Sequence, residues 1–131
     1  MNDELKGYVL QWIEKADEDL LVVHQLIEAG SIARGTIGFH CQQAAEKYLK
    51  AFIIFHGIEP ERTHNLEFLL SRCSEIDTSF SSIDPMNLTD YGVEARYPGD
   101  FLEPTVGEIN ELIQVIDQIR AKVMTRVVGN S

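Results

Sequence analysis

The segment from Gly38 to Leu70 constrains the fold most, because it combines a two-faced helix, a turn and a second, capped helix. It reads GFHCQQAAEKYLKAFIIFHGIEPERTHNLEFLL. Apolar residues recur in it at steps of three and four, which places them on one side of a helix that can face a core. A polar row on another side is typical of a solvated helix face, and the alternative is a surface for a partner or an anion. The apolar side holds Cys41, Ala44, Tyr48, Ala51 and Phe55, and the polar row holds His40, Gln43, Lys47 and Lys50.

Helical periodicity continues through the rest of the chain, and no convincing strand pattern occurs. The first two helices are predicted at 3–29 and 32–56, with Gly30 and Gly57 as their stops and Ser31 as the cap of the second. Three more helices are predicted to begin at Thr63, at Asp84-Pro85 and at Thr105, where Glu108 completes a capping box. The sequence therefore predicts an all-α protein with one domain over 1–131.

The composition is that of a globular protein, with 44% hydrophobic and 24% charged residues in a chain of 131. It contains no apolar run long enough to cross a bilayer, and the N-terminal residues lack the pattern of a secretion signal, so we expect a cytoplasmic protein without membrane contact. Cys41 and Cys73 fall at apolar helix positions, which favours buried thiols over a disulfide. Without a CxxC pair or clustered histidines, we expect no metal site and no cofactor.

The formal net charge of -10 argues against a protein that binds by neutralising a long phosphate backbone, so no DNA partner is expected. The charge is unevenly distributed. Residues 31–57 contain Arg34, Lys47 and Lys50 against the single acid Glu46. A nucleotide, an RNA or an acidic partner is therefore expected to bind near the second helix.

Four short motifs make the chain resemble the HEPN family, the helical domains named for nucleotide binding in higher eukaryotes and prokaryotes. The resemblance implies an up-and-down antiparallel bundle of four to five helices, often a homodimer. It also implies partnership with a minimal nucleotidyltransferase in a pair of the toxin–antitoxin kind. The motifs are Trp12 with Lys15-Ala16-Asp17 and Asp19-Leu20, Gln42-Gln43-Ala44-Ala45-Glu46-Lys47 with Leu49-Lys50-Ala51, Thr63-His64-Asn65-Leu66, and Ala95-Arg96-Tyr97-Pro98.

HEPN ribonucleases carry an arginine followed, after four to six residues, by a histidine. Arg96 matches the arginine, but no histidine occurs after His64 in this sequence. Metal-independent RNA cleavage needs a group that exchanges protons near neutral pH, for which histidine is the usual choice. Asp100, His40 and His64 are therefore the candidates for the missing group, beside Arg96. For His64, a local structural role next to the predicted cap is the alternative.

The leading interpretation is a binding or regulatory protein rather than an enzyme. Arg96 would hold a phosphate, Tyr97 would stack on a base, and Lys47, Lys50 and Gln43 would add polar contacts. A structural role for Arg96, bonded to helix-end carbonyls and paired with Asp100, is equally compatible with the sequence. The alternative functions are a metal-independent ribonuclease toxin with a non-standard site and a stand-alone nucleotide-binding domain. Tyr97 is also a conceivable acceptor for covalent modification by the transferase.

Overall fold

A computed structural model describes residues 2–92 and 102–129, and helices dominate both ranges. The α-helices are α1 (Asp3–Glu28), α2 (Arg34–Phe55), α3 (Leu66–Ile76) and α4 (Val106–Met124). Two 3-10 turns, Thr78–Ser82 and Leu88–Gly92, follow α3, and a π-helical turn, Thr125–Gly129, follows α4. No β-strand occurs in these ranges, and the all-α prediction is confirmed.

The first helix follows its prediction closely. The Asn2 side chain caps it by accepting a hydrogen bond from the backbone N–H of Leu5 at 2.7 Å. Gly30, at a φ of +67°, ends it in the left-handed conformation that glycine adopts without strain. On its apolar face Val9, Ile13, Ala16, Leu20 and Val23 are buried, whereas Ile27 is exposed.

The second helix is the central element, and α1, α3 and α4 all pack against it. Its predicted apolar side is buried, apart from the partly buried Phe55. The predicted cap is wrong: Ser31 Oγ accepts from the backbone N–H of Ala33, and Ala33 itself occupies the cap position without a side-chain bond. Gly57, at a φ of +76°, ends the helix as predicted.

Contacts between helices define the chain directions. Lys50 lies over the Trp12 ring, 6.0 Å from its centroid, while His40, earlier in α2, bonds Asp19, later in α1. The two helices are therefore antiparallel. At the start of α2, Nη2 of Arg34 lies 3.8 Å from Oε2 of Glu103, which precedes α4.

Further along α4, Arg120 Nε and the Tyr48 hydroxyl both donate to Asp17 Oδ1, so α4 runs in the same direction as α2. It is consequently antiparallel to α1, and Arg120 Nε bonds Asp17 Oδ1 across that pair at 3.0 Å. Helices α2 and α4 thus both run opposite to α1, as neighbouring helices do in a helical bundle.

The third helix begins two residues later than predicted. The predicted cap, Thr63, accepts only from the backbone N–H of Asn65, at 3.1 Å. Asn65 is the actual cap, because its side chain accepts from the backbone N–H of Phe68 at 2.8 Å. Residues 56–65 run back along α2, so His64 lies beside Glu46 and α3 starts near the middle of α2.

The helix predicted to begin at Asp84-Pro85 is wrong over its described part. Asp84 Oδ1 accepts from the backbone N–H of Met86 at 2.8 Å, and Met86 has a φ of +55°, which a right-handed helix excludes. Helical structure begins only with the 3-10 turn Leu88–Gly92. The part of this predicted helix beyond residue 92 lies outside the described residues.

The last helix confirms its predicted capping box. Thr105 Oγ1 accepts from the backbone N–H of Glu108, and the Glu108 carboxylate accepts from the backbone N–H of Thr105. Its apolar side is buried at Ile109, Ile116, Ile119 and Val123, but Val106, in the first turn, is exposed. None of the helices described has the length and apolar character needed to span a bilayer.

Candidate functional site

The predicted site residues separate into two groups. Arg96, Tyr97 and Asp100 lie in the segment 93–101, outside the described residues. The other predicted residues lie on α2 or, in the case of His64, in the connection that precedes α3. They are His40, Gln43, Lys47, Lys50 and His64.

The described residues that flank 93–101 both contact α2. A Cβ atom at Gly92 would lie 2.4 Å from Cδ of Gln42, so only a glycine fits against that side chain. The backbone carbonyl oxygen of Leu102 lies 3.2 Å from the position of a Cβ atom at Gly35. Gly35 and Gln42 are seven residues apart, or about two turns and roughly 10 Å on one face of the helix. Gly92 and Leu102, the described residues on either side of 93–101, therefore lie beside the same face of α2.

The first polar cluster joins α1 to α2 through Asp19, whose exposed fraction is 8%. Its carboxylate accepts from His40 Nδ1 at 2.8 Å and from Lys47 Nζ at 2.6 Å. Each oxygen takes one donor, and the charge of Lys47 balances the buried carboxylate. The polar row expected to be a solvated face therefore contributes, at these two positions, to the α1–α2 interface.

The second polar cluster is centred on Glu46, which is 5% exposed, and we call its members Gln42, Glu46, Lys50 and His64 the Glu46 cluster. Glu46 Oε1 accepts from His64 Nδ1 at 2.8 Å and from Gln42 Nε2 at 3.0 Å. Glu46 Oε2 accepts from Lys50 Nζ at 3.1 Å. Lys50 is only 8% exposed, so the expectation of a solvated row is wrong for this residue as well.

Gln42 connects the cluster to the backbone. Its Nε2 also donates to the carbonyl oxygen of His64 at 3.1 Å, and its Oε1 accepts from Gln43 Nε2 at 2.7 Å. Every polar atom of this fully buried side chain therefore has a partner. Gln42 and Glu46 were absent from the predicted site residues. The sequence did contain a signal for them, because Gln42, Glu46 and Lys50 follow one another at four-residue steps and so lie on one side of α2. In the structure, that side also contacts Gly92.

Opposing effects act on the ionisation of Glu46. Burial raises the pKa of this carboxyl, but the hydrogen bonds from His64, Gln42 and Lys50, with the positive charge of Lys50, outweigh burial and leave the pKa below its ordinary value. Glu46 is therefore an ionised acceptor at neutral pH.

The Glu46 cluster presents one group to solvent. The side chain of His64 is 73% exposed, although the carboxylate that holds it is buried. Because an ionised carboxylate only accepts, Nδ1 of His64 must carry the proton in their hydrogen bond. The other ring nitrogen, Nε2, is then a lone-pair acceptor in the neutral imidazole. Such an arrangement can receive a proton from a bound ligand.

A third polar contact is structural. Tyr48 donates its phenolic hydrogen to Asp17, which also accepts from Arg120. Burial, followed by the hydrogen bond to Asp17, raises the pKa of Tyr48 far above its ordinary value, so the phenol stays protonated. The contact joins three helices and offers no proton transfer near neutral pH.

Among the described residues, no group of three or more histidine, cysteine, aspartate or glutamate side chains is arranged to hold a metal ion. A family model, described as HEPN domain, matches residues 9–126. No curated protein and no solved structure matches the chain. The matched range includes both polar clusters and the whole segment 93–101.

Proposed function

Because this chain belongs to the HEPN domain family, we propose that it is an RNA- or nucleotide-binding protein that regulates, and is regulated by, a minimal nucleotidyltransferase. One observation favours binding over standard cleavage: no histidine follows Arg96, so the arginine–histidine pair of HEPN ribonucleases is incomplete. Family membership supports the nucleic-acid ligand and the transferase partner. The cellular role would be that of one member of a toxin–antitoxin-like pair.

Arg96 is the residue we propose for phosphate binding, with Tyr97 stacking on a base. The α2 lysines already have partners, since Lys47 pairs with Asp19 and Lys50 pairs with Glu46. We therefore propose no direct phosphate contact for these lysines, and each carboxylate offsets the positive potential of its partner. Gln43, half-buried beside them, would supply an additional polar contact.

Fluorescence anisotropy with a labelled single-stranded RNA tests the binding role. Arg96→Ala should weaken RNA binding about 10- to 100-fold, because a hydrogen bond to a charged group usually contributes a free energy of that size. Arg72→Ala is the matched control, because it removes one positive charge from a surface arginine that pairs with Glu61 and Glu75, both outside α2. Equal affinities for the wild type and Arg96→Ala, with both proteins folded, would refute the role of Arg96.

The partnership is tested by co-expression with a minimal nucleotidyltransferase encoded beside this gene. We expect the two proteins to co-purify and this chain to form a homodimer in light scattering. Mass spectrometry of the co-expressed protein also tests Tyr97 as a modification site, because a nucleotidyl adduct should be absent from Tyr97→Phe. Recovery of this chain without the transferase would count against the partnership.

A second candidate function, that of a metal-independent ribonuclease with a non-standard site, is favoured by one observation. An exposed histidine, His64, is oriented by the buried carboxylate of Glu46, next to the point where Gly92 leads into the segment that contains Arg96. RNA cleavage by the purified protein in the presence of a chelator tests this candidate. Cleavage that disappears in Arg96→Ala is the expected result if the ribonuclease function is correct.

A further inference from the structure

The Glu46 cluster supplies a proton-transfer group outside the arginine–histidine pair that the family uses. We propose that His64 is the general base of an RNA-cleaving site in this protein and that Glu46 and Gln42 are its positioning residues. The inference rests on the ribonuclease function considered above. It assigns the missing histidine to the connection between α2 and α3 rather than to the sequence that follows Arg96.

The orientation of the imidazole carries the argument. Glu46 is buried, lies on the central helix and accepts three hydrogen bonds, so its position is fixed by the core. The bond of 2.8 Å from His64 Nδ1 selects the tautomer in which Nε2 is an acceptor, on a side chain that is exposed to solvent. A carboxylate bonded to Nδ1 also stabilises the imidazolium that forms when Nε2 accepts a proton.

Gln42 holds the same histidine by its backbone. One amide nitrogen donates both to Glu46 Oε1 and to the carbonyl oxygen of His64. Gln43 donates to the oxygen of that amide, which keeps the nitrogen turned towards the histidine. Both the ring and the backbone of His64 are thus tied to α2, although the side chain itself is exposed to solvent. An exposed histidine with this much support is preorganised for contact with a ligand.

The chemical step requires no cofactor. Nε2 of His64 takes the proton of a ribose 2′-hydroxyl, and the 2′-oxygen forms a bond to the adjacent phosphorus. The bond from phosphorus to the 5′-oxygen breaks, and a water molecule gives that oxygen a proton. The products are a 2′,3′-cyclic phosphate and a 5′-hydroxyl end. The imidazolium returns its proton to the hydroxide left by the water, so protons and electrons balance.

His40 is the matched control within the same chain. Its Nδ1 is also held by a buried carboxylate, Asp19, at 2.8 Å. Its side chain is only 26% exposed, however, and Asp19 is shared with Lys47. We therefore assign His40 to the α1–α2 interface, and the proposal predicts that His40→Asn leaves RNA cleavage unchanged.

The experiment measures single-turnover cleavage of a labelled RNA, with a metal chelator present, by the wild type and four variants. His64→Ala should lower the rate about 100-fold or more, within the usual contribution of a general base. Added imidazole should restore part of that rate, a response that a purely structural residue would not show. Glu46→Gln should lower the rate about 10-fold or more, Gln42→Ala should lower it less, and His40→Asn should keep it.

A second set of measurements distinguishes loss of catalysis from loss of folding. Nitrogen chemical shifts of labelled His64 in the wild type should show the proton on Nδ1, and circular dichroism should show that His64→Ala is folded. Wild-type cleavage that survives His64→Ala would overturn the proposal while leaving the ribonuclease function intact. No cleavage by the folded wild type would overturn both. A proton on Nε2 of the neutral imidazole would overturn the assignment of His64 as a base.

Discussion

Asp19 on α1 accepts a hydrogen bond of 2.6 Å from Lys47 on α2, across 28 positions of sequence. The same carboxylate holds His40, and its two oxygens connect the two longest helices. A carboxylate this deeply buried requires partners, because leaving either charge alone would cost several kcal/mol. The pair therefore determines how α1 and α2 align, in addition to the apolar contacts between them.

Asp19→Asn should destabilise the protein by about 2 kcal/mol, since it keeps the shape but leaves Lys47 without its counter-charge. Urea unfolding, followed by the fluorescence of the single tryptophan, measures the change. Glu18→Gln is the control: Glu18 pairs with Lys15 on the solvated side of the same helix and should cost less than about 0.5 kcal/mol. Equal effects of the two variants would contradict a structural role for Asp19.

Two helix-interior glycines should respond oppositely to alanine. At Gly7 a Cβ atom meets nothing within 4 Å, so Gly7→Ala should stabilise the protein by up to about 1 kcal/mol through helix propensity. At Gly38 it would lie 2.8 Å from Cδ1 of the buried Tyr91 ring, so Gly38→Ala should destabilise by about 1 to 2 kcal/mol. Thermal unfolding of both variants tests the difference, and stabilisation by Gly38→Ala would show that Tyr91 is not packed there.

The pair formed by Asp77 and Arg126 should make stability depend on pH in the acid range. Hydrogen bonds from Arg126 and Ser79 lower the pKa of Asp77 to about 2. A lowered folded-state pKa stabilises the protein above the unfolded value of about 4, and this contribution is lost as the pH falls through about 2. The melting-temperature difference between wild type and Asp77→Asn should therefore shrink from pH 7 to pH 2. A constant difference would show that ionisation of Asp77 is not involved.

Neither cysteine should react in the native protein. Cys41 and Cys73 are fully buried, and burial raises the pKa of each thiol to about 12, so almost no thiolate exists at pH 8. Ellman's reagent should detect no thiol in native protein at pH 8 and two in denaturant, because the chain has two cysteines. Rapid reaction of one native thiol would indicate that the helix around it opens.

The predictions from sequence succeeded where structure depends on neighbours along the chain. The extents of α1 and α2, the two glycine stops and the Thr105–Glu108 capping box followed from periodicity and cap chemistry. The failures were equally local. Asn65 rather than Thr63 caps α3, and Asp84 bonds the backbone N–H of Met86 in a turn instead of capping a helix; the local sequence permits both arrangements in each case.

The candidate site could be predicted only in part. His64 was identified from its residue type, but its support by Glu46 and Gln42 depends on a connection that runs back along α2. Lys47 and Lys50 were expected to add positive potential, and the structure pairs both with carboxylates. The roles of Arg96, Tyr97 and Asp100 stay predictions, because these residues lie outside the described ranges.

The sequence by itself determined that this protein is all-α, where its long helices stop, and which side chains share a helix face, because a helical repeat of 3.6 residues follows from local backbone geometry. Only the tertiary structure decided which polar side chains meet. The order of residues on one helix face follows from the sequence. Which residues they contact depends on how far the neighbouring helix is shifted along that face. That shift brought Asp19 to Lys47, and the connection that runs back along α2 brought His64 to Glu46, so part of an apparently solvated row lies against other elements of the fold.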